Sequence, residues 1–308
     1  LRLLFYTAGG DAAAWLDALR RALPGARIEL WPAPAANAAD YALVWKPPPE
    51  LLGDLKRVKA VFYLGAGVDA VAGDASLPPG VRLVRLEDAG MAEQMAEYVC
   101  YAVLRRYREF DAYAEQQRAR LWQPRRRTSK GSFGVGILGL GVLGTAVASA
   151  LTPFGFPLRG WSRTRKQMAG IATFAGAGGL EAFLSDARVL VCLLPLTRDT
   201  KGLLDRATLS RLPRAAYLVN VSRGALVVDD DLLSLLDSGH LAGAMLDVFR
   251  DEPLPPEHRF WHHPRVVLTP HISASTQVDE SVAQIAAKIR RLEAGLPITG
   301  IVARDQGY

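Results

Sequence analysis

Three residues could together carry out chemistry on a carbonyl. They are Arg223 in Asn220-Val221-Ser222-Arg223-Gly224, Glu252 in Asp251-Glu252-Pro253 after Asp247-Val248-Phe249, and His271 in Thr269-Pro270-His271. Each follows a short apolar run that reads as a strand. Reducing a carbonyl next to a carboxylate needs a proton for the oxygen, a positive group to hold the acid, and a hydride on one face. His271 can give the proton, and Arg223 can pair with a carboxylate while stabilising charge on the carbonyl oxygen. Glu252, if it reaches the histidine, would favour imidazolium and fix its orientation. Taken singly, each has a plainer reading as a capping histidine, an exposed arginine or a solvated glutamate.

The hydride source is suggested by Gly139-Leu140-Gly141-Val142-Leu143-Gly144, directly after the apolar run Val135-Gly136-Ile137-Leu138. Gly139 would make a tight turn, Gly141 would admit a pyrophosphate to the backbone, and Gly144 would let helix and strand pack closely. Val142 to Leu151 reads as the alanine-rich helix that follows. In such a unit the next strand normally ends in an acidic residue that binds the ribose 2'-hydroxyl of NAD. Here Pro157 to Trp161 leads instead into Ser162-Arg163-Thr164-Arg165. Arg163, with Ser162, Thr164 and Arg165, could hold a 2'-phosphate, so the sequence favours NADP(H), with NAD(H) possible. A solvated basic loop is the alternative.

These strand ends must be positioned by two alternating patterns. In the first ninety residues, strands are expected at Leu3 to Tyr6, Arg27 to Leu30, Tyr41 to Trp45, Ala60 to Leu64 and Val81 to Arg85, with a helix over Ala12 to Leu23. A long helix is expected from Met91 to about Arg120. After the glycine turn, strands are expected at Pro157 to Trp161, Val189 to Leu193, Ala216 to Asn220, Gly243 to Leu246 and Val266 to Leu268. A last helix, Ser275 to Glu293, would return to the first unit. The fold class is therefore α/β with two doubly wound parallel sheets, a domain of residues 93–273 inserted in one of 1–92 and 274–308. Ligands of such sheets lie past the carboxyl ends of the strands, so a cleft between the domains is the expected site.

At 308 residues and 50% hydrophobic, the chain can bury two cores. No run approaches the roughly eighteen uninterrupted apolar residues of a membrane span, and no signal-peptide cleavage pattern follows the first strand, so a soluble cytoplasmic protein without a membrane partner is expected. Cys100 and Cys192 form neither a disulfide framework nor a metal cluster and read as core thiols. Adjacent His262 and His263 need not face one ligand, His240 and His258 fall in polar loop-like stretches, and no metal site is expected. A net charge of +6 suits anionic ligands without identifying one. The densest basic cluster, Arg125-Arg126-Arg127 with Lys130, reads as a solvated loop, with an electrostatic aid to a phosphorylated cofactor as a second reading. No nucleic-acid-binding pattern accompanies it, and no nucleic-acid partner is expected. Pro47-Pro48-Pro49 and Leu254-Pro255-Pro256 read as rigid loop punctuation.

With these residues in view, the chain resembles the D-isomer-specific 2-hydroxyacid dehydrogenases along essentially its whole length, and most closely their bacterial glyoxylate/hydroxypyruvate reductase A branch. Matching segments include Tyr41-Ala42-Leu43-Val44-Trp45, Leu64-Gly65-Ala66-Gly67-Val68-Asp69, Arg85-Leu86-Glu87-Asp88-Ala89-Gly90-Met91, Trp161-Ser162-Arg163-Thr164-Arg165-Lys166, Gly243 to Phe249 and the terminal Arg304-Asp305-Gln306-Gly307-Tyr308. The resemblance implies a Rossmann cofactor domain inserted in a flavodoxin-like substrate domain. It implies that Arg223 binds the substrate's carboxylate and carbonyl, that His271 is the acid/base and that Glu252 tunes it. Ala66 and Gly67 would offer backbone N–H groups to the carboxylate, Trp45 would cap a small pocket, and Asp247 with the backbone at Leu194-Pro195 would hold the nicotinamide end. It further implies NADPH, small 2-oxoacids such as glyoxylate and hydroxypyruvate, and a homodimer. In that dimer Trp122, in Trp122-Gln123-Pro124, could reach the partner's active site; local packing of Trp122 is the other reading. The arginine run at 125 to 127 departs from the pattern. A dinucleotide-sensing binding protein of the same fold, or an NAD-linked dehydrogenase of a larger D-2-hydroxy acid, would share much of this sequence.

Overall fold

The computed structural model describes residues 1–33, 38–126 and 128–304, so Arg127 and the terminal 305–308 lie outside the described residues. The chain forms two compact units, Leu1–Met91 with Ser275–Tyr308, and Ala92–Ala274.

In the first unit β1 (Arg2–Thr7), α1 (Ala12–Ala22), β2 (Arg27–Leu30), β3 (Tyr41–Trp45), α2 (Pro49–Asp54), β4 (Ala60–Tyr63), α3 (Asp69–Ala72) and β5 (Arg82–Arg85) follow in order. The strands form one parallel sheet ordered β2-β1-β3-β4-β5, the flavodoxin-like order. Its central strands are buried on both faces, which is why Tyr41-Ala42-Leu43-Val44 is a continuous apolar run rather than an alternating one. Leu51, Leu52 and Leu55 cover one face; Ala18 and Leu19 cover the other with residues of the last helix. Pro49 opens α2 rather than standing in a loop, because its fixed φ and missing N–H suit the first helical position.

The second unit opens with α4 (Met91–Tyr107) and α5 (Phe110–Arg118) where one helix to Arg120 was expected. Glu109 breaks it with a φ of 55°, and its carboxylate takes two hydrogen bonds from Arg125. Then come β6 (Val135–Leu138), α6 (Val142–Leu151), β7 (Leu158–Ser162), β8 (Ile171–Ala175), α7 (Gly176–Leu184), β9 (Val189–Cys192), α8 (Arg206–Leu209), β10 (Ala216–Asn220), α9 (Asp229–Asp237), β11 (Leu241–Leu246) and β12 (Val266–Leu268). The sheet has seven parallel strands, ordered β12-β11-β10-β9-β6-β7-β8. From β6 outward this is the Rossmann order with one added edge strand. The strand missing from the sequence reading is β8, and β11 starts two residues before its expected Gly243. Leucines of α9 and Phe183 of α7 pack on one face; Val99 and Val103 of α4 and Val147 of α6 pack on the other. The chain then returns to the first unit as α10 (Val278–Glu293), which begins at Val278 rather than Ser275. Ile285 and Ile289 of α10 are buried in the first unit's core.

Candidate active site

The three glycines of the turn after β6 meet three different demands. Gly139 has a φ of +113°, which a side chain would resist, and its N–H donates to the Trp161 carbonyl at 2.9 Å. A Cβ on Gly141 would meet no atom within 4 Å, so the backbone there faces open space. A Cβ on Gly144 would lie 1.9 Å from the Gly139 oxygen, so α6 approaches the turn more closely than any side chain allows. No side chain caps the start of α6, leaving its first N–H groups and the positive end of its dipole for an anion. This cradle fits a pyrophosphate. The Leu140 side chain is buried against Gly160, so only its backbone is available to a ligand at the turn, and Leu143 packs partly into the same core. Val142 is exposed at the helix start.

At the end of β7 no carboxylate is present. Ser162 is buried and donates from Oγ to the Thr164 carbonyl at 2.7 Å, bending the chain at the exposed Arg163 and Thr164; Arg165, also exposed, follows. Lys166 Nζ donates to the Leu140 carbonyl, so one cation of this run stands at the glycine turn itself. The sequence reading included Lys166 in the matching motif without giving it a role. Its signal was membership of a basic run after the second strand.

Arg223 lies just past β10. Buried Asn220 donates from Nδ2 to the Arg223 carbonyl at 3.0 Å, and Ser222 Oγ donates to the Leu194 carbonyl, tying this loop to the one after β9. The Arg223 guanidinium donates to the Ser222 carbonyl at 2.8 Å. Next to it, Gly224 has a role the sequence reading missed. A Cβ there would lie 1.9 Å from the Phe249 carbonyl carbon, so only glycine lets the Arg223 loop press against the loop after β11. Such a packing demand joins residues far apart in the chain and leaves no mark in local spacing.

The loop after β11 carries Glu252, which accepts from the Phe249 N–H at 2.9 Å through Oε1 and meets His271 Nδ1 at 2.8 Å through Oε2. His271 follows β12 with a φ of 57°, uncommon for a residue with a side chain. Asp247 holds it there. The fully buried carboxylate accepts from the Thr269 hydroxyl at 2.6 Å and from the Ile272 and Ser273 N–H groups, each at 2.8 Å, while its carbonyl accepts from the His271 N–H at 2.8 Å. These four bonds all join Asp247 to the histidine loop. The glycine turn, Arg223, Glu252 and His271 thus follow β6, β10, β11 and β12 at the carboxyl ends of one parallel sheet, where open α/β sheets bind ligands.

In the first unit Trp45 packs on Tyr63 with ring centroids 5.1 Å apart. Its indole lies where a Cβ on Gly65 would stand, 2.4 Å from Cζ3, so the glycine brings the ring down over the segment leading to Ala66 and Gly67. Among the described residues, neither the Ala66 nor the Gly67 N–H has an acceptor.

Residues 100–273 match the family described as D-isomer specific 2-hydroxyacid dehydrogenase, NAD binding domain. The chain belongs to the D-isomer specific 2-hydroxyacid dehydrogenase family. Its full-length structural relatives agree. A D-isomer specific 2-hydroxyacid dehydrogenase of Xanthobacter autotrophicus Py2, solved with NADPH and MES, is 39% identical, with a TM-score of 0.95 over 100% of this chain and 99% of that one. An NADPH-dependent glyoxylate/hydroxypyruvate reductase of Sinorhizobium meliloti, solved with NADP and sulfate, is 38% identical, with a TM-score of 0.92 over the same shares. A probable 2-hydroxyacid dehydrogenase of Rhizobium etli CFN 42, in complex with NADP, HEPES and L(+)-tartaric acid, is 32% identical, with a TM-score of 0.90 over 100% and 99%.

Elsewhere in this family member, Trp122 is fully exposed, which removes the local-packing reading, and the neighbouring Leu121 is exposed as well. Arg125 is paired with Glu109 and so is not freely solvated. Cys192 is fully buried, its thiol pushed up to about 12 by that burial, and Cys100 is half-buried and shifted in the same direction. Neither is an activated nucleophile. Among the described residues no three His, Cys, Asp or Glu side chains gather to hold a metal ion, and no helix is long and apolar enough to cross a membrane.

Proposed function

We propose that this dehydrogenase reduces small 2-oxoacids with NADPH, converting glyoxylate to glycolate and hydroxypyruvate to D-glycerate. The observation that carries the reading is the 2.8 Å contact of His271 with Glu252 on the strand-end rim that also bears Arg223 and the glycine turn. NADPH, when bound, supplies a hydride to the carbonyl carbon. The pyrophosphate would lie on the turn from Gly139 to Gly144, and the 2'-phosphate would meet Ser162, Arg163, Thr164 and Arg165; Lys166 adds charge beside them. The backbone at Leu194-Pro195, with Asp247 behind the histidine loop, would border the nicotinamide end.

Arg223 pairs with the substrate carboxylate and draws electron density toward the carbonyl oxygen. His271 delivers its Nε2 proton to that oxygen as negative charge grows there, while Glu252 on Nδ1 keeps the ring oriented and compensates the imidazolium form. Ala66 and Gly67 are assigned the carboxylate through their N–H groups, and Trp45 is assigned the limit on substrate size. Exposed Trp122 and Leu121 suit burial in a second copy of the chain, so the protein is read as a homodimer. The reduced thiols suit the cytoplasm.

The test is a steady-state screen of several 2-oxoacids with both NADPH and NADH. Glyoxylate and hydroxypyruvate with NADPH should give the highest kcat/KM. An absence of cofactor oxidation with either acid would remove the proposal in favour of a dinucleotide-sensing protein.

A further inference from the structure

Behind the histidine loop a chain of hydroxyl groups leads back to α4. Thr269 Oγ1 lies 2.6 Å from Asp247 Oδ1 and 2.5 Å from the Tyr98 hydroxyl. The carboxylate can only accept, so the threonine donates to it and has a lone pair left for the tyrosine. The order is therefore Tyr98 O–H to Thr269 Oγ1 to Asp247 Oδ1. Burial pushes the Tyr98 hydroxyl up to about 12, so it remains a donor throughout the working pH range. Tyr98 stands on α4 beside Met95 and Val99, whose side chains are buried in the core under β6 and β9, so it is anchored on a rigid element.

This arrangement bears on His271 because Asp247 is the centre of its support. The same carboxylate takes the Ile272 and Ser273 N–H groups, and the His271 N–H goes to the Asp247 carbonyl. A left-handed φ at His271 persists only where its surroundings over-determine it. We propose that Tyr98 and Thr269 are positioning residues for His271, a hydroxyl relay through which α4 fixes Asp247 and hence the loop that presents the imidazole. Neither touches substrate. The relay rests on the reading of His271 as proton donor.

The experiment uses full-length Tyr98→Phe, Thr269→Val and Thr269→Ser, with His271→Gln as control. Steady-state constants for glyoxylate, NADPH affinity by fluorescence titration and amide exchange of the 269–273 segment by mass spectrometry are measured on each. Tyr98→Phe should lower kcat by about fivefold to tenfold, the loss expected for one hydrogen bond, with NADPH affinity unchanged. Thr269→Val should lower it at least as far, Thr269→Ser should restore it, and a variant combining Tyr98→Phe with Thr269→Val should lose no more than Thr269→Val alone, because the groups act in series. Amide exchange over 269–273 should quicken in Tyr98→Phe even where no turnover is measurable. Parent-like kcat and exchange in Tyr98→Phe, or a loss confined to NADPH affinity, would overturn the relay. Should His271→Gln turn over normally, it is the proton-donor reading that fails; should His271→Gln be inactive while the Tyr98 and Thr269 variants behave as parent, the relay alone fails.

Discussion

Alanine at Gly141 and alanine at Gly144 are the same chemical change three residues apart, yet they should have opposite physical consequences. At Gly141 the backbone is extended, with φ −73° and ψ −164°, and the new methyl would meet nothing within 4 Å. The fold should tolerate it, and loss of glycine's freedom in the unfolded chain could raise stability by about 0.4–1 kcal/mol. The methyl would project into the open space that the proposed function assigns to the pyrophosphate. Losing one charge-assisted hydrogen bond there costs about 1.5–3 kcal/mol, a Kd for NADPH weaker by about 10-fold to 150-fold. At Gly144 the methyl would meet the Gly139 carbonyl oxygen at 1.9 Å, a backbone atom that cannot swing aside. Overpacking at the upper end of its range, about 3 kcal/mol, outweighs the gain of about 1 kcal/mol from alanine's helix propensity. A net loss of about 2 kcal/mol should lower Tm by about 4–8 °C for a unit of this size. Calorimetry without cofactor and fluorescence titration with NADPH separate the two. Gly141→Ala with parent-like NADPH affinity, or Gly144→Ala with parent-like Tm, would refute the assignment of the turn.

Other outcomes follow from the same structure. Arg163→Ala should weaken NADPH by about 10-fold or more while leaving NADH within twofold, as for one phosphate ion pair; equal losses with both would refute the phosphate role. If the proposed homodimer forms through Trp122, Trp122→Ala should lower the mass seen in light scattering toward the monomer at low protein concentration; an unchanged dimer mass would place the interface elsewhere, and a monomeric parent would refute the dimer. Burial opposes ionisation of Glu87, but its bonds to Thr299 and Lys288 outweigh this and hold its carboxyl below the ordinary value; Lys59 and Tyr41 likewise depress Glu293. These carboxylates contribute stability that is present above the unfolded-state pKa of about 4.3 and lost as pH falls through their lower folded values. Tm should therefore drop below about pH 4.3, and Glu87→Gln should flatten that drop; identical slopes would show that the network contributes nothing.

Most strands of both sheets were legible because buried parallel strands are near-continuous apolar runs, as in Val135-Gly136-Ile137-Leu138 and Tyr41-Ala42-Leu43-Val44. The β8 strand escaped because it is a short edge strand, only partly buried, between Gly170 and Gly176, and the glycines that follow obscure the start of α7. The break at Glu109 has no glycine or proline to mark it; it coincides with a pairing to Arg125 that is remote in the chain. In the candidate site, residue type and strand-end position pointed to Arg223, Glu252 and His271. The residues that hold them, Gly224, Asp247 and Thr269, act through close approaches and hydrogen bonds between separate loops, which single-sequence spacing does not encode.

The proposed chemistry turns on His271, supported by Glu252, protonating the carbonyl oxygen of a small 2-oxoacid during reduction by NADPH. The most direct measurement compares the parent protein with His271→Gln at saturating glyoxylate and NADPH, alongside NADPH affinity. The parent should oxidise NADPH rapidly and the variant should lose about 10²- to 10⁴-fold in kcat, with NADPH affinity unchanged. Turnover by the variant at the parent's rate would contradict it.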